Sequence, residues 1–377
     1  MTTPGPDLST PEGSSAAMSA TQTSAGPGAA SDPDGPGHPG TLARLAQHVH
    51  FRNISAIYLW IILFAIFAIW TPGDFLAIGT WRTMADQEAV TTIVSLGLVI
   101  SLSAGLFDLS AGLTLGASNA TVAWAVVNAH MGIVPAVALG LATGICIGLV
   151  NSFLVIELGI SSFIATLATS SVLTAYVTWI TANQQIEISI PIFNTLATYS
   201  IGGISWTFWV MIVVGIVIWY VLRYRPVGRH LYATGGSPDA ARLAGVRTSR
   251  VTFGALMASS VIAALAGAIL AMRVEIGSPT IGPPYLIPAF TAAFLGSTQF
   301  GRGRFNVWGT VIAVYALATG TTGLNLVGGP FWLPDLFDGV ALALAVGLSA
   351  SSAGSQLRAR MRRFGRRGGE PAQPSTD

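Results

Sequence analysis

From about residue 54 to residue 350, long apolar runs alternate with short polar joints. Most runs contain about 17–24 residues, the length that an α-helix needs to cross about 30 Å of hydrocarbon. The pattern predicts an all-α polytopic membrane protein with about ten transmembrane helices, at least one of them short or broken. The predicted runs are 54–72, 88–105, 109–129, 133–155, 162–181, 205–222, 252–272, 285–298, 306–327 and 333–350.

The run 285–298 differs from the others because it is short and is bracketed by Pro283, Pro284 and Pro288. Proline removes a backbone donor and interrupts a regular helix. We therefore expect either a half-helix or a re-entrant segment at this point.

Composition supports a membrane protein and excludes several kinds of enzyme. Only 9% of the residues are charged, against about 25% in a soluble chain, and mean hydropathy is +0.64. All 18 basic residues are Arg. Without Lys the chain has no P-loop nucleotide site and no Schiff-base chemistry.

The Cys and His content argues against disulfides and metal sites. Cys146 is the single cysteine, so neither an intrachain disulfide nor a Cys-based zinc site is possible. None of the five His pairs with a carboxylate at metal-ligand spacing on a helix face. We expect no metal and no cofactor in this chain.

The two ends differ from the apolar middle of the chain. Residues 1–40 are rich in Pro, Gly, Ser, Ala and Thr and contain no Arg, which predicts a disordered tail. Residues 41–353 form the predicted transmembrane domain. Residues 354–377 form a basic tail, which beside a membrane span is better explained by contact with anionic membrane lipid than with nucleic acid.

The arginines predict the orientation in the membrane. An even number of crossings places both termini on one side. If that side is the cytoplasm, 16 of the 18 arginines lie inside, and only Arg82 and Arg273 lie outside. Because positive residues accumulate on the cytoplasmic side, we expect both termini and the long loop 223–250 to be cytoplasmic.

The long loop contains a short helix with its end signals. Ser237 is the predicted N-cap, Pro238 takes the first helical position and Asp239 lies where the helix dipole favours an anion. Gly245 supplies a left-handed stop. Such a helix is either a simple connector or a docking element for a cytoplasmic partner, and the physical pattern alone leaves both open.

The same stretch carries a family resemblance. Residues 228–246, GRHLYATGGSPDAARLAGV, are similar to the cytoplasmic loop of the ribose/monosaccharide-type ABC importer permeases. Ser237 replaces the Asn that the family usually has, one N-cap residue for another. The other matching positions are Arg229, Tyr232, Gly235, Gly236, Ala240, Ala241 and Gly245.

Three further stretches resemble the family in the same order along the chain. They are 105–112 (GLFDLSAG), 148–169, and 300–310 followed by 323–332. The resemblance extends over roughly residues 54–350. The chain departs from the pattern at Leu106, at Phe305 and at Asp338, where the family often has Lys.

The resemblance implies a permease subunit that forms the translocation path for a monosaccharide or related hydroxylated solute. It implies an ATP-binding subunit that docks on the loop helix and holds ATP and Mg. It also implies an external solute-binding protein, and a second permease that is either an identical copy or a close paralogue. The location that it implies is the bacterial plasma (inner) membrane.

Four residues are candidates for the translocation path or a helix break. Asp108 lies at the junction of two runs, where a carboxylate either faces the path or caps the next helix. Ser110 follows it. Asn151 and Asn325 lie in spans, where amides either join helices or contact a hydroxylated solute.

Two other functions compete with an ABC permease. A secondary transporter needs intramembrane carboxylates for a coupling ion, and only Asp108, Asp335 and Asp338 are candidates. A membrane enzyme needs a nucleophile with a base, or a metal, and the sequence shows no such set.

Overall fold

Helices account for most of the structure. The computed structural model describes residues 55–191, 195, 198–298 and 303–347. The predicted tails 1–40 and 354–377 lie outside these residues. In chain order the helices are α1 Ser55–Trp70, α2 Pro72–Phe75, α3 Ile78–Ser103, α4 Ala111–Val127, α5 Ile133–Ile156, α6 Ser162–Ile180, α7 Trp206–Tyr224, α8 Pro226–Gly236, α9 Pro238–Leu243, α10 Thr248–Val274, α11 Leu286–Ser297, α12 Val307–Leu326 and α13 at 333–347.

Each of the ten apolar runs contains one of these helices, but not every helix is long enough to cross a membrane alone. Within the described ranges, six helices have the length and apolar character of a span: α3, α5, α6, α7, α10 and α12. Helices α1 and α4 are apolar but shorter. A polytopic helical fold is therefore confirmed, whereas the count of about ten crossings stays a prediction.

The expected short or broken helix is present at α11. Its 12 residues begin after a 3-10 turn at Pro283–Tyr285, so the prolines that bracket the run set its start. Its first residues lie beside α4, because Gly282 and Leu286 contact Gly112.

The predicted start of α3 at residue 88 is wrong by ten residues. The helix begins at Ile78, so Arg82, Asp86 and Glu88 lie inside it and not in a polar joint. The Arg273 side chain on α10 donates through Nε to the Asp86 carboxylate at 2.8 Å, and both side chains are largely covered. The apolar run covers only part of this helix, and α3 extends beyond it to include Asp86 of this charged pair.

The prediction of an all-α fold needs a second correction, because the loops contain two short antiparallel pairs of β-strands. Strand β1, Ile186–Glu187, pairs with β4, Ile276–Gly277. Strand β2, Ser200–Ile201, pairs with β3, Ile204–Ser205. The ladders give paired partners to backbone groups in the polar stretch 182–204 and after α10.

Helix α10 packs at the centre of the helices against α3, α4 and α5. Small residues permit this close packing, as is common between membrane helices. The Ser118 hydroxyl on α4 donates to the Ala264 carbonyl at 2.7 Å, and Gly97 on α3 lies against Ser259. Ser259 of this helix also takes part in the Asp108 network described below.

Candidate functional site

The segment 223–250 is mostly helical and is not a loop with one short helix, as the sequence predicted. Pro226 begins α8, which runs to Gly236 and buries Gly228, Leu231 and Thr234. A proline at the first helical position is compatible with a helix start because its missing N–H has no intrahelical partner there. Gly235 therefore lies in the last turn of α8, together with Gly236.

Helix α9 has the predicted caps. The Ser237 hydroxyl accepts a hydrogen bond from the Ala240 amide at 3.4 Å. Gly245 adopts a φ of +85°, a left-handed conformation that residues with a Cβ rarely adopt. The Val246 amide then donates to the Ala241 carbonyl at 3.0 Å, which closes the end of the helix.

The two alanines of α9 face opposite surroundings. Ala241 is only 5% exposed and packs against its own chain, whereas Ala240 is exposed. Leu243 is 91% exposed. Of the two alanines that match the family loop, Ala240 is therefore the outward one, and the large outward apolar side chain is Leu243.

Tyr232 joins α8 to the segment that precedes α12. Its hydroxyl donates to the Phe305 carbonyl at 2.6 Å, and the Arg304 guanidinium lies 5.6 Å from the centre of its ring. Burial raises the pKa of the Tyr232 hydroxyl, because the phenolate would lose its hydration. This contact fixes α8 against the start of α12.

A cleft of about 1030 Å³ opens beside this contact. Its lining includes Arg223, Arg229 and Arg304 together with Trp219 and Trp308. The cleft is therefore basic and aromatic, and Arg229 lies at its edge with an exposed side chain.

Gly235 lies in close contact with the end of α3. A Cβ at Gly235 would overlap the Ser103 carbonyl oxygen at the end of α3 and would lie 2.9 Å from the Gly105 amide nitrogen. A Cβ at Gly236 would meet nothing within 4 Å. Of the two adjacent glycines that match the family loop at the end of α8, only Gly235 is required by packing.

Asp108 is fully buried in the non-helical segment 104–110 between α3 and α4, which we call the break. Its Oδ1 accepts hydrogen bonds from the Ser110 amide at 3.1 Å and the Ser110 hydroxyl at 2.6 Å. Its Oδ2 accepts from the Ser259 hydroxyl on α10 at 2.7 Å. In this conformation the carboxylate stabilises the break and has no exposed surface.

Asn151 belongs to the same network. Its amide Nδ2 donates to the Ser110 hydroxyl at 2.9 Å, which links α5 to the start of α4. The structure therefore brings Asp108, Ser110 and Asn151 together. Asn325 does not join them and lies in the exposed last turn of α12.

Hydroxyl groups on α6 form hydrogen bonds with the backbone of the break. The Phe107 amide donates to Ser162 and the Leu109 amide to Thr166, both at 3.0 Å, and the Ser170 hydroxyl donates to the Leu109 carbonyl at 2.9 Å. Ser162 and Thr166 lie in the stretch 148–169 that resembles the family, whereas no signal in the sequence distinguished Ser170 or Ser259 from the many other Ser and Thr residues within spans.

Sequence reasoning also missed a cavity of about 390 Å³ between α3, α11, α12 and α13, whose apolar wall carries several polar side chains. Glu88 and Asp338 line it with the Tyr285 ring, and Thr91 and Thr321 add hydroxyl groups. A carboxylate inside a span is itself a functional signal, but the predicted run begins at Glu88, which places this residue at the edge of the span and not in its interior.

Among the described residues, no group of three or more His, Cys, Asp or Glu side chains is arranged to hold a metal ion. The Asp108 carboxylate instead accepts hydrogen bonds from Ser110 and Ser259.

Comparison with known proteins identifies the family. Residues 83–348 match the family described as branched-chain amino acid transport system / permease component. The ribose import permease protein RbsC of Bacillus subtilis (strain 168) is 31% identical over 314 residues, which cover 80% of this chain and 94% of that protein.

Two further relatives are permeases of the same kind. The fructose import permease protein FrcC of Rhizobium meliloti is 30% identical, covering 82% of this chain and 89% of that protein. The ribose import permease protein RbsC of Escherichia coli (strain K12) is 29% identical, covering 76% and 90%. No solved structure matches the chain. The chain therefore belongs to the family of multi-pass, inner-membrane ABC importer permeases that includes the ribose import permeases.

Proposed function

We propose that this chain forms the translocation path of an ABC importer for a monosaccharide or a related hydroxylated solute. The observation that carries the proposal is the match to ribose, fructose and L-arabinose permeases over most of their length. The chain is a transport subunit and not an enzyme. ATP and Mg bind to a separate ATPase subunit, and an external binding protein delivers the solute.

The exposed face of α9 is the proposed docking surface for the ATPase subunit. It combines Leu243 and Ala240 with the charged Asp239 and Arg242. The caps Ser237 and Gly245 fix the ends of the helix, so that it keeps its shape without a partner. Arg229 and Tyr232 of the preceding helix line the basic cleft and are assigned to the same coupling region.

Gly235 is the proposed point at which movement of the docked segment reaches the membrane helices. Its backbone lies directly on the end of α3, and the break that holds Asp108 begins immediately afterwards. Asp108, Ser110 and Asn151 then connect α4, α5 and α10. A shift of α8 would therefore act on three helices through one hydrogen-bonded junction.

The cavity with Glu88 and Asp338 is the proposed point of contact with the solute. Its carboxylates and hydroxyl groups accept hydrogen bonds from a polyhydroxylated molecule, and its volume of about 390 Å³ lies within the range of small-molecule sites. Asn325 in the last turn of α12 is assigned to the entrance of the path.

Orientation and assembly belong to the same proposal. Both termini and α8–α9 lie in the cytoplasm, because 16 of 18 arginines then lie inside. The complete transporter contains two permeases, either two copies of this chain or this chain and a close paralogue, with membrane lipid around them.

Uptake into liposomes tests the proposal against ion-coupled transport. The chain is reconstituted with the ATPase subunit and the binding protein of its transporter, and labelled D-ribose, D-fructose and L-arabinose are supplied. We expect uptake of at least one sugar that requires ATP and continues when ionophores collapse ion gradients. Uptake that needs an ion gradient and no ATP would contradict the proposal.

A further inference from the structure

A groove between α7, α8 and α10 is distinct from the transport site. It has a volume of about 650 Å³, and most of its wall is apolar. Three basic residues, His230, Arg247 and Arg250, line it at one end. We propose that this groove binds an anionic phospholipid, with the phosphate at the basic end and an acyl chain along the helices.

The apolar wall lies where a bilayer would surround the protein. Val217 and Val221 of α7 face Val251 and Ile262 of α10 across the groove. Val217 is 55% exposed, and α7 is one of the six helices with the length and composition of a span. An apolar groove on a membrane helix accommodates a lipid chain without exposing either surface to water.

The length of the groove matches one leaflet. Arg250 and Ile262 lie 12 positions apart on α10, which corresponds to roughly 18 Å along the helix axis. Half of a hydrocarbon core of about 30 Å is about 15 Å. A phospholipid anchored at Arg250 would therefore place its chain beside Ile262.

The arginines at the basic end of the groove favour the binding of a phosphate group. Arg247, Arg250 and His230 are exposed, and within the described ranges no carboxylate forms an ion pair with any of them. Arginine binds phosphate oxygens through two parallel hydrogen bonds. No side chain caps the N-terminus of α10 at Arg247, so amide groups of its first turn also face this end.

Gly254 supplies a way to fill the groove without altering the packing of the helices. It lines the groove, and a Cβ at this position would meet no atom within 4 Å. A leucine at 254 therefore extends into the space that the proposal assigns to the acyl chain.

Native mass spectrometry of the full-length chain tests the proposal, because it counts bound lipids and protein copies together. Phosphatidylglycerol and phosphatidylcholine with the same acyl chains are titrated separately. We expect phosphatidylglycerol to bind more tightly, with about five-fold weaker binding in each of Arg247→Gln and Arg250→Gln. Arg225→Gln is the matched control, since Arg225 is an exposed arginine nearby that does not line the groove.

The Gly254→Leu variant, which fills the groove, distinguishes a bound lipid from a second protein copy. Gly254→Leu should lower the number of tightly bound phosphatidylglycerol molecules and leave the number of protein copies unchanged. Equal binding of both lipids, or wild-type lipid binding in both arginine variants, would overturn the proposal. Lipid binding that is unchanged in Gly254→Leu while the protein loses a copy would show that the groove is a subunit interface.

Discussion

At the scale of single residues, the burial of Asp108 depends on the hydrogen bonds that surround its carboxylate. A carboxylate without water is costly unless hydrogen bonds replace its hydration, and Asp108 has three such bonds in the described structure. The sequence showed that an acid lies at the junction of two runs. It did not show the third bond, because Ser259 is 151 positions away along the chain.

Two neighbouring serines on α10 test this network. Ser259→Ala removes a hydrogen bond to a buried charged group, which costs about 1.5–3 kcal/mol. Ser260 is equally buried, but its hydroxyl has no hydrogen-bond partner among the described residues. We expect Ser259→Ala to lower the thermal unfolding midpoint of the purified chain clearly more than Ser260→Ala. Equal midpoints would contradict the assigned network.

The cavity carboxylates provide a second test at this scale. Glu88→Gln and Asp338→Asn keep the shape of the side chains but remove charged acceptors, each contributing about 1.5–3 kcal/mol to a hydrogen bond. We expect the sugar concentration for half-maximal uptake to rise about ten-fold or more in each variant. Asp335→Asn is the control, because Asp335 is exposed and does not line the cavity. Unchanged uptake in both variants would remove the cavity from the solute path.

At the scale of elements, local signals predicted helix ends better than they predicted helix lengths. The caps of α9 are confirmed because Ser237 and Gly245 act through their own backbone conformation. Helix α8 was missed because Gly235 and Gly236 indicate a loop locally. Its helical state depends on packing of Leu231 and Gly228, which is a tertiary property.

The two glycines at the end of α8 give a matched pair of variants. Gly235→Ala would push α8 away from the end of α3, and overpacking of this kind costs about 1–3 kcal/mol. Gly236→Ala meets no neighbour. We expect Gly235→Ala to reduce ATP-dependent uptake several-fold at matched expression and Gly236→Ala to leave it near wild type. The same uptake in both variants would show that this contact does not carry movement.

At the scale of the whole molecule, apolar length and arginine placement predicted the class of protein but not its tertiary arrangement. The runs located every long helix, because hydrocarbon sets their minimum length. They could not reveal the cavity, because Glu88, Tyr285 and Asp338 come from distant parts of the chain. The arginines predicted an orientation, which still needs a chemical test.

Cysteine labelling tests that orientation. In a Cys146→Ser background, single cysteines replace Ser237 in the α8–α9 segment and Ser200 in β2, both exposed. We expect a membrane-impermeant maleimide to label position 200 from outside sealed cells and to label position 237 only after the membrane is opened. Labelling of position 237 from outside would reverse the topology.

The central claim is that a separate ATPase drives this chain through α9. Its most direct test is sugar-stimulated ATP hydrolysis in liposomes that contain the chain, its ATPase subunit and its binding protein. The wild type should respond to sugar, whereas Leu243→Glu should lose the response, because it places a charge on the proposed apolar contact. Leu158→Glu, at another exposed leucine outside α8–α9, should respond like the wild type. Full stimulation in the Leu243→Glu protein, with normal recovery of the complex, would contradict the account.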